Sequence, residues 1–93
     1  MEHIMVDMTY EQQLNLKTLK TLDLEVFNLK VQFKDLLQQQ GCHPVAIKSF
    51  FEGMITTSEV IRHTPSPTME TYEVGLELTE KQNSLNTYKK LCK

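Results

Sequence analysis

The side chains of this sequence best suited to hold a metal or act as a nucleophile are Cys42, Cys92, His43 and His63. Structural zinc sites take their ligands in close pairs, of the form Cys-x₂₋₄-Cys and His-x₃₋₅-His. Cys42 and His43 are adjacent, while His63 and Cys92 stand far from them and from each other, so the spacing matches no such site. A catalytic thiol or hydroxyl needs an aligned base and an oxyanion pocket. The chain has no Gly-x-Ser-x-Gly elbow, and adjacency of Cys42 and His43 in sequence does not aim a thiol at an imidazole. Gly41, Gly53 and Gly75 are too scattered to form a phosphate-cradling loop. The expectation is a protein that is not an enzyme, with no catalytic residue, no metal and no cofactor. Cys42 is read instead as a small apolar residue at the end of the first helix.

Charge narrows the partners. The net charge is −2, nine of the ten basic residues are lysine, and Arg62 is the only arginine. Arginine is the usual bidentate reader of phosphate and guanine, so its scarcity weighs against a nucleic-acid surface. Glu70, Glu73, Glu77 and Glu80 fall in a stretch without a basic residue between Arg62 and Lys81. On a helix these four would share one side, read first as a solvated face and second as an acidic mimic of nucleic acid. No run approaches the ~18 apolar residues of a membrane span, so no membrane is expected. Two free thiols and an acidic N-terminus without a signal-like apolar run place the chain in a reducing cytoplasm, of a bacterium or a phage-infected cell.

The 93 residues suit a single domain, 1–93, with an internal loop at 63–68 where His63-Thr-Pro-Ser-Pro-Thr68 supplies two prolines and no apolar side chain. Hydrophobic residues at 40% and charged residues at 24% are globular values that argue against wholesale disorder. Residues 1 to 40 lack glycine and proline, and Leu19, Leu22, Val26, Leu29, Phe33 and Leu36 recur at steps of three and four. That spacing predicts a long helix over about 9–40, opened by Thr9 and Gln12 as a capping box and closed by Gly41. Pro44 opens a second helix over about 44–62, weakened at Gly53. Tyr72, Val74, Leu76 and Leu78 alternate with Glu73, Gly75 and Glu77, which predicts a strand at 71–79. Thr79 and Gln82 then open a C-terminal helix over about 80–92. The fold class is mainly α. Its alternative is α+β, with a hairpin at 20–34 about Phe27-Asn28 pairing with 71–79, because Leu22, Leu24, Val26 and Leu29, Val31, Phe33 also alternate.

If the first helix forms, Leu24, Phe27 and Val31 make a second apolar stripe on the side away from the first. A helix greasy on two sides must be covered on two sides, so these residues are the expected partner-binding surface and a homodimer the expected assembly. The run from Phe33 to Gly53 also resembles the helix-turn-helix core of repressor-like proteins, over about half of the chain. Leu36, Gly41, Ile47 and Phe50 occupy the positions of the apolar anchors and turn glycine, and the stretch after Pro67 resembles the following helix. That resemblance implies a DNA-binding regulator with Lys48 and Ser49 facing the groove. DNA ranks second as a partner, since Lys48 stands with Glu52 and phosphate neutralisation supplies most DNA affinity. The leading expectation is a small regulator or inhibitor that binds a macromolecular partner, most plainly a protein.

Overall fold

The computed structural model describes residues 10–91, which fold as four helices without a strand. They are α1 (Tyr10–Gln39), α2 (Pro44–Phe51), α3 (Thr57–Arg62) and α4 (Met69–Leu91). Residues 1–9, with the Thr9 cap, and residues 92–93, with Cys92, lie outside the described part.

α1 buries Leu22, Val26, Leu29, Phe33, Leu36 and Leu37, with Leu19 half-buried against the same core. This is the three-and-four seam of the sequence, laid along one side of a helix of 3.6 residues per turn. α4 lies antiparallel to it and meets it with Thr71, Val74, Gly75, Leu78 and Leu85. Three points set the register. Gln40 meets Thr71 at one end, Phe33 lies against Gly75, and the Lys81 ammonium lies 3.3 Å from the Glu25 carboxylate further along. Gly75 permits the close approach, since a Cβ there would lie 2.8 Å from Thr57 Cγ2 and 3.1 Å from Phe33 Cε1.

α1 ends in a Schellman turn. Gly41 takes φ +80°, its N–H donates to the Gln38 carbonyl, and the Cys42 N–H donates to the Leu37 carbonyl at 2.9 Å. Cys42 is thereby buried beside Val60, where its Sγ lies 3.7 Å from the Val60 carbonyl oxygen. His43 caps α2, its Nδ1 accepting from the Val45 N–H at 3.1 Å, and Pro44 fills the first turn where a missing N–H costs nothing. Phe50 of α2 sets its ring edge-on to Phe33 at 5.2 Å. α2 and α3 together close the Gln40 end of the α1–α4 pair.

The helix expected over 44–62 is broken. Gly53 adopts φ +78° and makes a second Schellman turn, with the Met54 N–H donating to the Ser49 carbonyl at 2.8 Å. α3 restarts at a capping box: the Glu59 N–H donates to Thr56 Oγ1 and the Thr56 N–H donates to Glu59 Oε1 at 2.8 Å. The Thr56 backbone donor, with its hydroxyl second, holds the Glu59 carboxyl below its ordinary range.

The strand at 71–79 and the helix start near 80 are also overturned, because both belong to α4 from Met69 onward. Val74 and Leu78 share its buried side while Tyr72 and Leu76 share its outer side, so the apparent alternation is two helical stripes. Thr79 caps nothing. Its hydroxyl donates to the Gly75 carbonyl and meets Thr57 Oγ1 at 2.8 Å in mid-helix. The hairpin at 20–34 is absent for the same reason, since that segment runs inside α1. Residues 63–68 connect α3 to α4, and Thr71, fully buried, donates its hydroxyl to Gln40 Oε1, tying that connection to the end of α1.

Candidate partner-binding groove

Leu24, Phe27 and Val31 remain exposed, at 60%, 62% and 51% of their possible surface. At about 100° per residue they centre roughly 150° around α1 from the buried seam, so the α1–α4 pairing cannot cover them. Large apolar side chains left together on a surface mark an interaction site far better than isolated ones do.

Phe27 and Val31 do not stand on a bare ridge. They form one wall of a groove between α1 and α2 of about 680 Å³, whose other wall includes Pro44, Ile47 and Phe51. α1 reaches the groove because its seam and its outer stripe are joined by positions 30, 34 and 38. α2 reaches it because the Schellman turn at Gly41 folds the chain back beside the end of α1. The rim carries Lys30 and Lys34 from α1 and Lys48 and Glu52 from α2. Lys48 Nζ lies 4.0 Å from Glu52 Oε2, an exposed i, i+4 pair of the kind worth little to stability. Leu24 lies beyond the end of this groove, in a neighbouring hollow shared with Phe27, Lys20, Lys30, Asp23 and Lys89. Together the two hollows expose five lysines against two carboxylates in a chain whose net charge is −2. Positive charge is therefore concentrated here.

The structure brings Phe27, Val31 and Lys48 together on one groove and sets Ser49 apart. Ser49 lies on the other side of α2, in a hollow lined by His43 and His63. Of the positions singled out by the helix-turn-helix resemblance, Leu36 and Ile47 are buried and Phe50 half-buried around the Gly41 turn. The exposed side of α2 offers one lysine to a phosphate, and that lysine is beside Glu52. Lys30, Lys34 and Phe51 complete the groove and were not singled out by sequence reasoning. The two lysines sit one turn from Phe27 and Val31, so the helix period alone places them on its rim. Phe51 enters the groove because α2 ends there, at the Schellman turn of Gly53.

α4 carries a second uncovered stripe. Met69, Tyr72 and Leu76 are exposed at 72%, 51% and 61%, and Glu73, Glu77 and Glu80 run beside them, also exposed. Among the described residues no three histidine, cysteine or acidic side chains converge as a metal site would require. Cys42 and His43 are engaged in the turn and the cap between α1 and α2. Also among the described residues, no helix is long and apolar enough to cross a membrane. Comparison with protein families, with curated proteins and with solved structures finds no match for this chain.

Proposed function

We propose that this protein acts without catalysis, as a small regulatory or accessory protein that binds a protein partner through the groove between α1 and α2. The supporting observation is the exposure of Phe27 and Val31 beside Ile47 and Phe51, in a concave apolar strip edged by Lys30, Lys34 and Lys48. A helix or loop with two or three apolar side chains at helical spacing would fill the strip, and carboxylates flanking them would meet the lysines. This is the helix-in-groove mode, in which apolar anchors supply affinity and rim charges supply register and on-rate.

In this reading the domain regulates by occupancy, covering or positioning a surface of its partner. The test is affinity capture from source-cell extract with the wild-type chain and with Val31→Asp, which places a charge in the strip at a half-exposed position. A protein retained by the first and lost from the second is the expected result. Equal recoveries on both would refute the groove as the binding site.

A further inference from the structure

We propose that the groove between α1 and α2 takes the outer edge of α4 from a second copy of this chain, so that copies join head to tail. The inference rests on the reading of that groove as a binding site and names its occupant.

The chain carries two unpartnered apolar stripes, and they differ in charge. The groove strip of Phe27, Val31 and Phe51 is edged by Lys30, Lys34 and Lys48, with Glu52 the single acid on its rim and already beside Lys48. The α4 stripe of Met69, Tyr72 and Leu76 is flanked by Glu73, Glu77 and Glu80, all exposed, with no basic residue between Arg62 and Lys81. Its spacing of three and four is that of a helix presenting one edge to a groove. Each surface thus offers what the other lacks: three carboxylates beside one apolar row, three ammonium groups beside the other.

The two stripes cannot meet within one molecule. Each lies roughly 150° around its own helix from the face that α1 and α4 bury against each other, so they point to opposite edges of the pair. A contact between different patches is heterologous, and with the patches on opposite edges it extends copy by copy instead of closing on a two-fold axis.

The experiment is sedimentation equilibrium of the full chain across a wide concentration range. The expected average mass rises past that of a dimer, with no plateau at two copies. Two variants isolate the surfaces, Val31→Asp in the groove and Leu76→Lys on the α4 edge, both at positions at least half exposed. Each alone stays monomeric. An equimolar mixture doubles in mass and stops there, because one variant keeps an intact edge and the other an intact groove. Raising salt from about 0.1 M to about 1 M shortens the screening length from ~10 Å to ~3 Å and moves wild-type assembly to higher concentration. If circular dichroism shows that either variant has lost helix, Phe27→Ser and Tyr72→Ser, also exposed positions, replace them under the same expectations. A wild-type chain that remains monomeric throughout overturns the self-docking and leaves the capture experiment to decide the groove. So does a closed dimer that Leu76→Lys leaves intact, or a mixture of the two variants that stays monomeric.

Discussion

Replacing Gly75 by alanine pits two effects of opposite sign against each other at one atom. Alanine in place of glycine inside a helix is worth about 1 kcal/mol in the folded direction, through propensity and loss of unfolded-state freedom. Against that, the new Cβ would sit 2.8 Å from Thr57 Cγ2 and 3.1 and 3.3 Å from the Phe33 ring. Phe33 is fully buried and held edge-on by Phe50, so it has no free direction in which to give. Thr57 can turn only by surrendering its hydrogen bond to Thr79, or α3 must shift as a body. Overpacking of this kind costs about 1–3 kcal/mol, which outweighs the propensity gain and leaves the variant ~1 kcal/mol less stable. With a urea slope of about 1 kcal/mol/M, the midpoint followed by circular dichroism falls by about 1 M. Thr57→Ser removes the offending methyl and keeps the hydroxyl for Thr79. The double variant is therefore more stable than the sum of the single changes by about 1 kcal/mol. A Gly75→Ala chain as stable as wild type, or strict additivity with Thr57→Ser, would refute the close approach of α3 and α4.

Gly41→Ala is expected to cost about 1–2 kcal/mol, because its φ of +80° is left-handed while Pro65, at 3.7 Å, leaves room for the methyl; the urea midpoint reads it. Thr56→Ala removes the α3 cap and lowers stability by about 1 kcal/mol in the same assay. Glu59 has a folded-state pKa below its ordinary 4.5, so its contribution is present above that value and is lost as pH falls through the lower, folded one. The stability gap between wild type and Glu59→Gln should therefore close as pH drops below about 4.5, and a gap that persists in acid would refute the charge-dependent cap. Val31→Asp should leave stability within about 0.5 kcal/mol of wild type, as surface changes do, which is a midpoint shift of no more than about 0.5 M urea.

α1 was legible because its buried seam is long and its residues are good helix formers. The same helix also produced the competing hairpin, and the cause reaches the strand assigned at 71–79. Two steps along a helix turn the chain by about 200°, so residues two apart face nearly opposite ways. When both sides of a helix are apolar, positions i, i+2, i+4 and i+6 all read as hydrophobic, which is the signature of a strand. In α1 the buried Leu22, Val26, Leu29 and Phe33 interleave with the exposed Leu24 and Val31. In α4 the buried Val74 and Leu78 interleave with the exposed Tyr72 and Leu76. The false strand thus arose from the feature that marks the outer surface of α4. The break between α2 and α3 was present in the sequence as Gly53 and as Thr56-x-x-Glu59. The groove itself was not legible, since it depends on how far the Gly41 turn folds α2 back along α1, a three-dimensional fact that no periodicity encodes.

The uncovered α1 stripe admits a simpler pairing, two copies joined symmetrically through Leu24, Phe27 and Val31, and charge decides between the two. Covering the exposed halves of six such side chains yields roughly 6 kcal/mol in either arrangement, at about 1 kcal/mol each. That only reaches the lower part of the ~4–15 kcal/mol that association costs in lost freedom. The apolar term is therefore insufficient and indifferent. Around the stripe, positions 17, 20, 34 and 38 continue its spacing of three and four, and three of them are lysine. An antiparallel symmetric pair centred on Phe27 sets Lys20 against Lys34 of the other copy, a repulsion that Asp23, opposite Val31, offsets only in part, and a parallel pair sets every lysine against itself. Each like-charge contact near 4 Å costs ~1 kcal/mol even at the dielectric of water. Joining the α4 edge to the groove reverses that sign at Lys30, Lys34 and Lys48. The balance tips towards the heterologous contact by several such terms, which is why added salt should weaken it and would strengthen the symmetric one.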